Sequence, residues 1–175
     1  MNVTIKEFHN RIDEMVEESF IKSPPKKTPK SWEKAKGIRW GKKAEPALVE
    51  ILKKHPNYKS HKEQVRFRPV GGTSCVDVVF ETKTGKTVYI PVVKDSWTGT
   101  AQIDRLETTY YKWKGGFVED YNFCFLIVKD YKERLNMCFK EGTVKELIVN
   151  DIIKEMADAK VLFNVETLWE HLKTL

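Results

Sequence analysis

Val76-Asp77-Val78-Val79-Phe80, the connection Thr82-Lys83-Thr84-Gly85-Lys86 and the return Thr87-Val88-Tyr89-Ile90-Pro91-Val92-Val93-Lys94 decide the fold. Two short runs rich in β-branched and aromatic residues, joined by a Gly-containing turn, read as an antiparallel hairpin. Pro91 removes one ladder donor, so its position predicts a bulge or an edge that needs no partner. Pairing the two strands brings Asp77, at the start of one, and Lys94, at the end of the other, towards the same edge. An acid and a lysine on adjacent strand ends are the skeleton of a magnesium-dependent phosphodiesterase site, in which the acid holds the metal and the lysine polarises the attacking water.

Outward from the hairpin, Gln64 to Pro69 alternates Val65 and Phe67 with polar residues, as a half-buried strand does, and Gly71-Gly72 supplies the turn before Asp77. Between Trp40 and Lys54 an apolar stripe of Ala44, Ala47, Leu48, Ile51 and Leu52 predicts a helix that ends before Pro56, with Pro46 tolerable in a first turn. Residues Thr4 to Phe20 form an amphipathic helix that needs a surface to cover, on the core or on a second subunit. The stretch from Ile21 to Lys36, with Pro24, Pro25 and Pro29 among lysines, reads as an extended basic arm, either along phosphates or simply solvated.

Downstream, Ser96 to Glu107 is a loop opening into a helix that continues from about Ala101 to Trp113, and Tyr121 to Val128 is a buried strand. A helix from Thr143 to Ala157, a short strand around Val161 to Phe163 and a closing helix from Val165 to Leu175 complete the chain. The layout is α/β: a central mixed β-sheet of about five strands flanked by helices. It makes one domain over residues 1–175, with the N-terminal helix and arm in 1–36 and the core in 37–175.

The chain's 31 Lys and Arg against 25 Asp and Glu leave a formal charge of +6, which suits a polyanionic partner without identifying one. No apolar run approaches a membrane span and the N-terminus carries no apolar signal region, so a soluble, cytoplasmic protein is expected. The three cysteines show no CxxC spacing and do not combine with the four histidines into a zinc pattern, which predicts reduced, structural thiols.

Asp77, Val93-Lys94, Ser96-Trp97-Thr98 and Arg105-x-Glu107 together resemble the PD-(D/E)xK nucleases, in the variant found among type II restriction endonucleases that cut CCGG-type and CCNGG-type sites. The similarity spans roughly Glu45 to Val128. In the common pattern an Asp or Glu stands two residues before the lysine; here that position is Val92, whose side chain ligates nothing. In the variant group the second acid has moved to the next helix, and Glu107 lies thirteen residues after Lys94. One departure is plain: after Ser-Trp-Thr the CCGG cutters carry an arginine and aspartate cluster where this chain has Gly99-Thr100-Ala101-Gln102.

The resemblance implies a restriction-endonuclease-like fold and a homodimer that cuts both strands of duplex DNA with Mg²⁺. It assigns Asp77 and Glu107 as metal ligands together with the Val93 carbonyl, Lys94 as the residue holding the nucleophilic water, and Glu45 as an acid facing the site from the helix before the hairpin. Asp104, one turn before Glu107, and Glu81, on the strand of Asp77, are the rivals for the second carboxylate. Ser96, Thr98, Thr100, Gln102, Asp104 and Arg105 follow the lysine where the similar enzymes read base edges, although Thr98 or Thr100 equally suits a helix cap. Tyr110, Tyr111 and Trp113 either stack on bases or pack into the core. A junction or repair nuclease would rely instead on phosphate contacts from Arg39, Lys42, Lys43, Arg66 and Arg68, and a basic DNA-binding domain without catalysis is the remaining alternative.

Overall fold

A computed structural model describes residues 2–67, 74–93, 122–128 and 142–175 of the chain. The N-terminal helix α1 (Ile5–Lys22) begins with a reciprocal cap, the Glu7 amide donating to Thr4 Oγ1 and the Thr4 amide to Glu7 Oε2. Phe8, Ile12, Met15 and Val16, spaced for one helical face, are buried against α2 (Pro29–Lys53) of the same chain. The apolar face that sequence offered to a second subunit is therefore used internally.

Helix α2 corrects the reading of the basic arm. Thr28 accepts from the Ser31 amide and Pro29 occupies the first turn, so this proline starts a helix and the extended link shrinks to residues 23–28. Pro46 lies deep inside α2 rather than in its first turn. It removes one intrahelical bond but faces solvent, while Ala44, Ala47 and Leu48 on the opposite side are fully buried and hold the helix on the sheet. Arg39 donates to the carbonyls of Ser19 and Ser23 at 3.0 and 2.7 Å, closing the end of α1. Arg11 grips Glu50 through Nε at 2.7 Å and Nη2 at 3.0 Å, and these bonds hold the Glu50 carboxyl below the usual carboxylate range.

Among the described residues seven strands follow: β1 (Tyr58–Phe67), β2 (Ser74–Thr82), β3 (Thr87–Ile90), β4 (Val92–Val93), β5 (Asn122–Phe123), β6 (Phe125–Ile127) and β7 (Leu162–Phe163). They pair as a four-stranded sheet in the order β1-β2-β3-β5 and a three-stranded sheet in the order β4-β6-β7. The parallel pairs Val88↔Asn122 and Val92↔Leu126 keep one offset across the interruptions at Pro91 and Cys124. Hydrogen bonds from the Cys124 amide to Tyr89 O at 2.8 Å and from the Leu126 amide to Pro91 O at 2.9 Å bridge the same gap. Thus β4 continues β3 and β6 continues β5, giving a mixed arrangement that is antiparallel on the β1 side and parallel on the β7 side. Strand β1 starts six residues before the expected Gln64, because Lys59 to Glu63 lack apolar alternation and are held instead by the ladder to β2.

Side-chain alternation divides the sheet faces. Val78, Phe80, Val88, Ile90, Val92 and Leu126 join α1, α2 and the C-terminal helix α4 (Val165–Lys173) in the main core. Phe123 and Phe125 meet Ile152 and Met156 of α3 (Val144–Asp158) in a second cluster, with Tyr89, Val93 and Ile127 packed against it. The result is the α/β arrangement expected, with helices flanking a mixed sheet. No helix among the described residues is long and apolar enough to cross a membrane.

His55 locks α4 to the end of α2. Its Nδ1 accepts from the Asn57 amide at 3.0 Å, so Nε2 carries the proton and donates to the Trp169 carbonyl at 3.0 Å. Burial holds its pKa below the ordinary histidine value, and His171 is shifted the same way by the same cause. A histidine neutral when folded and protonated when unfolded makes the unfolded chain bind more protons, so stability falls as pH drops below about 6.5, by up to ~1.4 kcal/mol per pH unit per histidine until the folded pKa is reached. Urea unfolding between about pH 5.5 and 7.5 should show this slope, and His55→Gln should reduce it by one proton's worth.

Candidate active site

Asp77 sits where β2 and the interrupted β3–β4 strand part. The antiparallel ladder between β2 and β3 runs from Glu81↔Thr87 to Val78↔Ile90, and the next residue on the returning strand, Pro91, has no N–H to offer. The following amide, that of Val92, donates to Asp77 Oδ2 at 2.8 Å. A carboxylate replaces a ladder carbonyl, and this bond orients Asp77 at the end of the strand that leads directly to Lys94.

Helix α2 brings a second acid to this point. Glu45 is buried, at 8% exposure, and both of its oxygens accept from Gln64 Nε2 at 3.0 Å. The same nitrogen lies 3.3 Å from Asp77 Oδ1. Two carboxylates that share one amide nitrogen are no farther apart than the sum of those two bonds, a separation that one cation with its waters spans. The acid assigned to the helix before the hairpin thus does face Asp77.

The other predicted positions divide cleanly. Lys94, Ser96, Thr98, Thr100, Gln102, Asp104, Arg105 and Glu107 lie outside the described residues, as does Arg68. The Val93 carbonyl, expected as a metal ligand, accepts from the Val128 amide at 3.3 Å on the β6 side of the strand, whereas it is the Val92 peptide that meets Asp77. Glu81 is four residues along β2 from Asp77 and accepts from Ser60 Oγ at 3.0 Å; at the rise of an extended strand this places its backbone roughly 13 Å from that of Asp77. Among the described residues no group of three or more His, Cys, Asp or Glu side chains gathers at one point.

Gln64 is the residue that sequence reading missed. Within the run from Gln64 to Pro69 it looked like an ordinary outward member of an alternating strand. Its position was implicit in the hairpin: with Glu63 opposite Val78 and Val65 opposite Val76, Gln64 is the residue that faces Asp77 across the β1–β2 pair. Cys75 donates its thiol to Gln64 Oε1 at 3.2 Å, which fixes the amide with its nitrogen towards the two acids. Cys75 and Cys124 are free thiols, the first exposed and the second buried among apolar side chains that push its pKa up to about 12.

The donor set fits Mg²⁺, which commonly takes one or two carboxylates and leaves its remaining positions to water and substrate phosphate. Lys42, three residues before Glu45, and Arg66, two residues after Gln64, are exposed on the elements that carry the site, and Lys43 is half-buried. No protein-family model, curated protein or solved structure matches this chain.

Proposed function

We propose that this protein is a Mg²⁺-dependent endonuclease of duplex DNA, of the restriction type, acting as a homodimer. The observation that carries the proposal is the convergence of Asp77 and Glu45, from a strand and a helix, on one point beside the strand that runs into Lys94. Asp77 and Glu45 would hold Mg²⁺, which when bound would supply neutralisation of the charge that builds on the phosphate and activation of the attacking water. The chain's own groups do the rest. The Val92 amide keeps Asp77 turned towards the site, buried Glu45 supplies a second anionic oxygen, and Lys94 holds the incoming water against phosphorus. Water oxygen forms the new P–O bond and gives up a proton to solvent, the bond to the leaving deoxyribose oxygen breaks, and that oxygen takes up a proton from solvent. Glu107, as the acid shifted from the Val92 position, and Ser96, Thr98, Thr100, Gln102, Asp104 and Arg105, as base readers, complete the assignment.

Incubating the protein with long unmethylated duplex DNA and Mg²⁺, and sequencing the ends, tests this. Fragments that share one motif and vanish with EDTA are the expected result. Cleavage of branched substrates alone would reassign the enzyme to junction or repair work, and DNA binding without cleavage of either would reduce it to a binding domain.

A further inference from the structure

We propose that Gln64 is a ligand residue of the cation site, supplying a neutral oxygen beside Asp77 and Glu45, an inference that rests on the active-site reading above. Carboxylates only accept, so without a cation the amide must present its NH₂ to Glu45 and Asp77, and it does, at 3.0 and 3.3 Å. The nitrogen stands between the two acids, where positive charge is best stabilised. A half-turn about the Cγ–Cδ bond exchanges nitrogen and oxygen, so the group that ties the acids together becomes, with a cation present, an oxygen donor of the kind that hard divalent ions accept from glutamine.

Two features prepare that exchange. Cys75, on the far side of the amide, can serve both orientations, since a thiol donates weakly to Oε1, as observed, and its sulfur accepts weakly from an NH₂. The backbone of Gln64 is held at φ 51°, a left-handed conformation unfavourable for any residue with a Cβ. This strain is not the by-product of an inserted residue, because the β1–β2 pairing keeps one register on both sides, from Lys62↔Val79 and Glu63↔Val78 to Val65↔Val76 and Arg66↔Cys75. A strained position that aims one side chain at two acids is the pattern seen where geometry serves a site rather than stability.

The test is Mn²⁺ binding to the whole, DNA-free protein, followed by electron paramagnetic resonance of the free ion, with melting temperature measured beside it. Wild type is expected to bind Mn²⁺, Asp77→Asn to lose binding, and Gln64→Ala to bind ~10-fold or more weakly. Gln64→Gly separates the roles: glycine accepts the left-handed backbone, so this variant should melt no lower than wild type and still bind as weakly as Gln64→Ala. In wild type labelled with ¹⁵N-glutamine, Mg²⁺ should shift the Gln64 side-chain amide signal, and in Asp77→Asn it should not. Unchanged Mn²⁺ affinity in both Gln64 variants, with binding still lost in Asp77→Asn, would overturn the role of Gln64 and leave the active site standing. Binding that survives Asp77→Asn, or absence of binding in wild type, would overturn both.

Discussion

Asp77→Asn should abolish Mg²⁺-dependent DNA cleavage, lowering the rate by ~10³-fold or more, while the protein stays folded. A charged ligand that stabilises the transition state by several kcal/mol accounts for that factor at ~1.4 kcal/mol per tenfold. Asparagine keeps a side-chain oxygen to accept the Val92 amide, now bonded to Asp77 at 2.8 Å, so the strand end is preserved and only the charge is removed. Asp77→Ala should be equally inactive but also less stable, by ~1–3 kcal/mol, because it takes the acceptor from a half-buried backbone N–H. Cleavage rates and urea midpoints of the two variants, measured together, separate chemistry from folding. An Asp77→Asn protein that cuts at the wild-type rate would remove Asp77 from the mechanism.

Phe80→Ala should be the most destabilising of the single truncations considered, costing ~3–5 kcal/mol. Phe80 lies in the second half of β2, is fully buried, and meets His55 edge-on at 5.9 Å and Tyr58 at 5.8 Å between ring centroids. Its removal leaves a cavity bounded by the sheet and by the residues that anchor α4, which cannot collapse without moving both. For a chain of this size the melting temperature should fall by about 10 °C. Ile21→Ala supplies the contrast: this side chain is 85% exposed at the end of α1, and its truncation should change stability by less than about 0.5 kcal/mol. Calorimetry of the three proteins is sufficient.

How much of this was legible beforehand depended on whether the signal was local. The β2–β3 hairpin and α4 lie close to where alternation and helical spacing put them, because in each the apolar residues mark one buried face; α3 also lies close to its expected bounds, but Val144, Leu147 and Ile148 of its apolar set are exposed while Val149, Ile152 and Met156 are buried. The extent of α2 did not follow from pattern alone. Its first ten residues, Pro29 to Ile38, bury little, and what makes them helical is a cap at Thr28 followed by a proline that could equally have belonged to an extended link. The polar half of β1 was hidden for a related reason, since a strand held mainly by ladder bonds to one neighbour needs no apolar alternation to exist.

The candidate site shows the same division. Asp77, set among valines in β2, could be named from residue type and local pattern, and Glu45 only through the resemblance to the nucleases. Their meeting could not, and neither could the part of Gln64, because these positions are separated by 13 to 32 residues and touch only after β1 pairs with β2 and α2 packs across them. Sequence by itself determined the α/β class and the hairpin that carries Asp77, since hydrophobic periodicity and turn chemistry act over a few residues. Tertiary structure alone decided that Glu45, Gln64, Asp77 and the Val92 amide share one point, because strand register and helix packing, which are non-local, set which polar groups find each other.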